Sequence, residues 1–258
     1  MPSSNSNESI CKRTAVVIPY YNEILLFEKF YRSALEAFES TVSIAGQAMA
    51  FDLVVVDDGS REPLDLKILE DDVGANLART RVHLLRHLQN LGQGAALRTG
   101  ITFGLRKLGC DYFVTMDSDG QHRLEDLPAV LSPVVNGTTD ITFGNRFRGA
   151  LSKNMPKSRR VILKAAAAFE RVTTGLPLND AHNGYRGFNR KTAELLKLRQ
   201  NRMAHATEIK QIVARNDLRF VEVPVTIYYS ADTLAKGQSN MGSFNILKDL
   251  LKSYLFES

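Results

Sequence analysis

Short apolar runs alternate with longer amphipathic stretches along the first 150 residues, and the two periods predict strands and helices in turn. Thr14 to Pro19, Phe51 to Val56, Val82 to Leu85, Tyr112 to Met116 and Asp140 to Gly144 are continuous apolar or β-branched runs, the pattern of buried strands. Phe27, Phe30, Ala34 and Phe38 form one helical stripe. Leu97, Ile101, Gly104, Leu105 and Leu108 form a second, and Leu124, Leu127, Val130, Leu131 and Val134 a third. This alternation predicts an α/β fold: a mostly parallel sheet flanked by helices on both faces, in a single domain.

The second half is less regular. A helix is expected over 159–174 with Ile162, Ala165, Ala166, Phe169 and Val172 inward, then a short strand over Gly184 to Phe188 and a helix over Thr207 to Arg215. The run 220–229 is extended but carries Pro224, which predicts an edge or a bend. A polar loop leads to a last amphipathic helix, with Phe244, Leu247, Leu251, Tyr254 and Leu255 on one face and Lys248, Asp249, Lys252 and Ser253 opposite. It either packs on its own domain or lies in a membrane interface. The expected organisation is a disordered polar tail over 1–12, one domain over 13–230, and a loop with the amphipathic helix over 231–258.

Composition narrows the function classes. The chain has 258 residues, 44% of them hydrophobic, enough for one sizeable core. A net charge of +5 suits an anionic ligand or membrane surface and is too weak to imply nucleic acid. Two cysteines, Cys11 and Cys110, make no disulfide framework and no zinc spacing, which fits a reducing cytosol. The first residues lack the apolar core of a signal peptide, and no run approaches the roughly 20 apolar residues of a spanning helix. A cytoplasmic protein, soluble or peripheral on a membrane, is expected.

The chemistry concentrates where predicted strands end. Pro19 to Glu23, Asp57 to Ser60, Asp117 to Gln121 and Gly144 to Arg146 all sit at strand carboxyl ends, which form one edge of such a sheet and bind its ligands. Asp117 and Asp119 stand one residue apart, so both carboxylates can reach one ion once the chain turns. Alone, such a pair reads equally well as a turn; its place on a shared edge favours a site. Oxygen ligands suit Mg²⁺ or Mn²⁺. Four carboxylates, at 57, 58, 117 and 119, would repel one another in an empty cleft. A divalent cation carrying a diphosphate relieves this, with Arg146 and Arg186 contacting phosphate oxygens. No Walker loop and no Gly-x-Gly-x-x-Gly follows the first strand, so ATP hydrolysis and NAD chemistry are disfavoured. His122 and His205 have no partner at metal-ligand spacing, and Glu208 divides evenly between a site acid and a solvated group.

The segments VVIPYYNE, VVVDDGS, NLGQGAALRTGI, DSDGQH, GNRF, NGYRGFNR and EVPV…KGQS together resemble family 2 glycosyltransferases of the GT-A fold. The branch resembled makes polyprenyl-phosphate hexoses, and the likeness spans nearly all of 13–240. It implies that Pro19, Tyr20, Asn22 and Glu23 contact nucleoside and ribose, and that Asp57 and Asp58 read the base. Asn90 and Gly92 lie near the nucleotide; Gln93 stands where the family often has lysine. Asp117, Asp119 and Gln121 match the metal ligands, with Ser118 between them, and Arg146 and Arg186 match phosphate-side arginines. Asp180 matches an active-site acid, although Arg186 could equally be its structural partner.

The expected reaction is inverting, metal-assisted transfer of a hexose from a UDP- or GDP-sugar to a polyprenyl phosphate, for cell-surface glycan synthesis. An anionic acceptor oxygen needs little base; Arg146, Arg186 and Arg159 or Arg160 would hold it. A hydroxyl acceptor on a polysaccharide or lipid-linked glycan is the alternative, with Asp180 as base. A sugar nucleotidyltransferase and a non-catalytic nucleotide-sugar module are weaker alternatives. A lipid acceptor places the protein on the inner face of the cell membrane, through the basic loop 150–160, the terminal helix, a small membrane protein, or a homo-oligomer.

Overall fold

The computed structural model describes residues 11–65, 77–148, 157–180 and 183–228. The polar tail up to residue 10, the basic loop over 149–156 and the terminal helix, with its loop, lie outside the described residues. In chain order the first elements are β1 (Lys12–Tyr20), α1 (Ile24–Ser40), β2 (Ser43–Ile44), β3 (Gln47–Asp57) and β4 (Thr80–Arg86). Then come α2 (Gln93–Phe103), β5 (Tyr112–Thr115), α3 (Leu127–Val135), β6 (Ile141–Asn145) and α4 (Lys157–Thr174). The last are β7 (Arg186–Asn189), α5 (Arg190–Leu195), α6 (His205–Arg215) and β8 (Phe220–Pro224).

The strands form one sheet in the order β4–β3–β1–β5–β7–β6–β8, with β2 hairpinned antiparallel onto the start of β3. The pairs β1–β3, β1–β5, β3–β4 and β6–β8 are parallel, as the strand–helix alternation predicts. β7 runs antiparallel between β5 and β6. This reversal brings the start of β7, and with it Asn183 to Arg186, to the edge where β1, β3, β5 and β6 end.

Successive β1 residues feed two cores, one on each face of the sheet. Val16 and Ile18 join Phe27, Phe30, Phe38 and Leu131; Ala15 and Val17 join Leu97, Ile101, Ile209 and Val213. Each fully buried Val, Ile, Leu or Phe contributes about 1.5–3 kcal/mol relative to exposure. The helix α2 lies directly on β1, because a Cβ on Gly100 would run into Val17 Cγ1. That close approach aims the α2 amino terminus at the end of β5.

One local expectation is corrected. α4 turns a different face inward: Leu163, Ala166, Ala167, Glu170 and Thr174 are buried, while Ala165 and Val172 are exposed. The cause is a buried ion pair between Glu170 and Lys210 of α6, which fixes the facing stripes of both helices. The side chains of Ile162 and Phe169 lie outside the described residues. β8 is an edge strand that ends at Pro224, as the proline predicts; beyond the bend, Ile227 bridges back to His122. Among the described residues, no helix is long and apolar enough to cross a membrane.

Candidate active site

A cleft of about 310 Å³ opens at the carboxyl edge of the sheet. Pro19, Tyr20 and Glu23 line it from the end of β1, Asp58 from β3, and Asn90, Gly92 and Gln93 from the start of α2. Asp117, Ser118 and Asp119 line it from the end of β5. The structure thus brings these strand-end residues together in one cleft. Asn22 faces an adjoining cleft with Arg61, Glu62 and Asp65. Its φ of 53° is one asparagine tolerates, and its side chain accepts from the Arg61 N–H at 2.9 Å.

Asp57 lies beneath the cleft wall rather than on it. Its oxygens accept from the backbone N–H of Ser60 at 2.9 Å and of Leu64 at 3.2 Å, so it shapes the loop after β3. Asp58 holds the neighbouring turn. It accepts from the N–H of Leu91 at 3.0 Å and of Gly92 at 2.7 Å, and from Asn90 Nδ2 at 2.9 Å, while His87 Nδ1 stands at 2.7 Å. Asp57 has its carboxylate taken up by its own loop and Asp58 by the neighbouring turn, so Asp58 fixes the α2 start that faces Asp117. Tyr20 packs edge-on against Phe27, and burial raises its hydroxyl pKa.

Asp117 is partly accessible, its side chain 37% exposed. Gln93 Nε2 donates to its Oδ1 at 2.7 Å, so the residue standing in the place of a family lysine contacts the carboxylate directly. The Asp117 N–H donates to His122 Nδ1 at 3.1 Å, which makes that ring nitrogen an acceptor; burial lowers the His122 pKa accordingly. Asp119 accepts from the Gln121 N–H at 3.0 Å. The Gln121 carbonyl accepts from the Tyr228 N–H, and Gln121 is absent from the cleft lining.

Behind Asp117 lies a second, buried group. Asp180 Oδ2 accepts from Arg146 N–H at 3.0 Å, Arg146 Nε at 2.7 Å and Asn183 Nδ2 at 3.3 Å, whereas its Oδ1 has no hydrogen-bond partner among the described residues. Asp180 thus pairs with Arg146, not with Arg186. Among the described residues, Asn145 Nδ2 and Arg186 Nε are also buried without partners. Burial lowers the Arg186 pKa, against the attraction of Asp117, Glu170 and Asp180. A guanidinium buried this deeply with an orphaned donor is costly unless an anion completes it.

Residues that the sequence reading passed over complete this group. Glu170 and Lys210 form their ion pair beside Arg186, and His205, its pKa pushed to about 4 by burial and by Arg186, donates to the Arg202 carbonyl. Each charge occupies a core-facing helical position, which was the available signal. Glu208 is structural: its carboxylate accepts from the N–H groups of Arg199 and Gln200.

The donor set can be matched to a cation. Among the described residues, no three His, Cys, Asp or Glu side chains converge as a protein-only cage. Asp117 and Asp119 offer two carboxylates in one cleft, which suits Mg²⁺ or Mn²⁺ bound through one or two carboxylates and completed by substrate phosphates.

The model for "Glycosyl transferase family 2" matches residues 15–196. A UDP-N-acetylglucosamine–dolichyl-phosphate N-acetylglucosaminyltransferase of Methanococcus voltae is 29% identical over 92% of this chain and 94% of its own. A polyprenol monophosphomannose synthase of Mycolicibacterium smegmatis is 31% identical, covering 93% and 85%. Among solved structures, glucosyl-3-phosphoglycerate synthase from Mycobacterium tuberculosis, in complex with Mn²⁺, UDP and glucosyl-3-phosphoglycerate, superposes with a TM-score of 0.53 at 18% identity. It covers 85% of this chain and 72% of that one, a likeness of fold: the α/β domain is of the GT-A type.

Proposed function

We propose a function from one premise: the chain belongs to glycosyltransferase family 2. It transfers a hexose, with inversion, from a UDP- or GDP-sugar to a polyprenyl phosphate at the membrane surface. The observation that carries this is the pairing of two accessible carboxylates, Asp117 and Asp119, with the buried, incompletely bonded Arg186 behind them. One half suits a cation-bound diphosphate and the other a second phosphate. The name of the M. voltae relative includes dolichyl phosphate and that of the M. smegmatis relative a polyprenol monophosphomannose, which supports the lipid acceptor.

A divalent cation held by Asp117 and Asp119 supplies Lewis-acid neutralisation of the leaving nucleoside diphosphate. The remaining work falls to the chain. Tyr20, Glu23 and Asn90 wall the nucleotide cleft, and Asp58 keeps the Asn90–Gly92 turn in place. The amino terminus of α2 adds a partial positive charge at the same wall. Arg186 attracts the anionic acceptor, while Arg146 is held by Asp180. A phosphate oxygen is already a nucleophile, so this route asks no side chain for proton abstraction. Gln121 would join the cation only by turning its side chain into the cleft.

A second reading keeps one specific support. Asp180 Oδ1 is buried and unbonded, as a base serving a hydroxyl acceptor would be. The two separate in one assay: the protein with Mg²⁺ or Mn²⁺, labelled UDP- and GDP-sugars, and undecaprenyl phosphate. Label extracted into the organic phase with one donor is the expected result. Label only on soluble glycans would favour the hydroxyl acceptor, and no transfer with any donor would defeat both.

A further inference from the structure

Gly184 carries no positive φ, so its backbone does not require glycine. Its carbonyl accepts from Thr115 Oγ1 at 2.8 Å, which holds it beside the end of β5. A Cβ placed on it would lie 2.7 Å from Asp117 Oδ2, 2.8 Å from Oδ1 and 3.0 Å from Cγ, its three nearest atoms. The space that any other residue would fill is taken by a carboxylate. No backbone atom of the described residues is that close, so an added methyl would displace the end of one side chain and leave the strands alone.

We propose that Gly184 is a positioning residue, whose missing side chain seats the Asp117 carboxylate on the floor of the cleft. The inference rests on the reading of Asp117 as a cation ligand. Two contacts then hold the carboxylate, Gly184 beneath it and Gln93 Nε2 on Oδ1, while His122 accepts from the Asp117 backbone N–H. The same segment reaches the acceptor side. His122 packs on the ring of Tyr185 at 5.2 Å, and Asn183, next to Gly184, donates from Nδ2 to Asp180 at 3.3 Å. The Asn183–Gly184 step therefore touches both halves of the site, and a shift of Asp117 caused at Gly184 is a shift relative to Asp180.

The test is a double-mutant cycle of Gly184→Ala with Asp117→Ala, read by calorimetric titration of Mn²⁺ in the presence of UDP or GDP and by thermal unfolding. Gly184→Ala is expected to weaken Mn²⁺ binding about tenfold or more, with Tm within about 2 °C of wild type. In the Asp117→Ala background the methyl has room, so Gly184→Ala should change neither residual binding nor Tm. Wild-type Mn²⁺ affinity in Gly184→Ala, with binding lost in Asp117→Ala, would overturn this inference and leave the cation site standing. Wild-type affinity in Asp117→Ala would overturn both. An equal fall in Tm in the two backgrounds would make Gly184 a structural glycine, and it decides the matter even if the single variant folds poorly.

Discussion

At the amino-terminal side of the sheet, Asp52 is fully buried among partners. Arg13 Nε donates to it at 2.8 Å, His83 Nε2 stands at 2.8 Å, and Cys110 Sγ at 3.7 Å. Burial works to raise the Asp52 pKa, but His83 and Arg13 hold it below the ordinary range. Asp140, just before β6, is likewise satisfied by Arg219 and Asn189, and hydrogen bonds from Arg219 hold its pKa at about 2. At the opposite edge the accounts do not close: Asp180 Oδ1, Arg186 Nε and Asn145 Nδ2 are buried and unbonded. The other buried unbonded side-chain atoms among the described residues are hydroxyls. Both edges bury charge, but one matches it within the chain and the other leaves donors and acceptors for something else. The difference separates carboxylates that hold the fold from those kept ready for a ligand.

Exchanging the two kinds of carboxylate should have opposite consequences. Asp117→Ala should lower transfer by about 10³-fold or more, since metal stabilisation of a leaving group is worth several kcal/mol. Its Tm should stay within about 2 °C, because the side chain holds no strand in place. Asp52→Asn should do the reverse. Loss of a buried, paired carboxylate costs about 2–3 kcal/mol once the partial exposure of Arg13 is allowed for. Transfer per folded molecule should be unchanged, as activity normalised to folded fraction would show. A crippled but stable Asp52→Asn would break the comparison.

The two edges should also part company in acid. His205 has a folded pKa of about 4, below its unfolded value. The unfolded chain then binds more protons between these values, so stability is lost as pH falls from about 6.5 to about 4, by about 2–3 kcal/mol. Asp140 has the same sign in a lower window: its stabilisation, about 1–2 kcal/mol, is present above about pH 4 and fades towards pH 2. Thermal unfolding against pH should show two steps, with His205→Gln flattening the upper and Asp140→Asn the lower. Loss of both steps in one variant would mean that the edges are not independent.

Much of this was legible in the chain. Apolar runs located β1, β3, β4, β5 and β6, and their carboxyl ends located most of the cleft lining. What escaped depends on contacts between distant segments. The direction of β7 is set by its neighbours β5 and β6, and only that reversal brings Asn183 to Arg186 beside Asp117. Asp57 and Asp58 sit at the predicted edge, yet a strand-end position does not say whether loop N–H groups or a ligand will take their oxygens. Glu170 and Lys210 were hidden because helical periodicity was judged from apolar positions, and the face of α4 was misplaced for the same reason. Gly184 reads in the sequence only as the start of the expected strand over 184–188, since nothing local tells a glycine needed for φ from one needed for a neighbour's space.

The account's central claim, that the carboxyl edge is completed by a cation and a nucleoside diphosphate, is met most directly by calorimetric unfolding with and without Mn²⁺ plus UDP or GDP. At about a hundred times Kd, one of the two nucleotides should raise Tm by about 5–10 °C, and Asp117→Ala should lose the rise. An unchanged Tm with both nucleotides, in the presence of Mn²⁺, would contradict it.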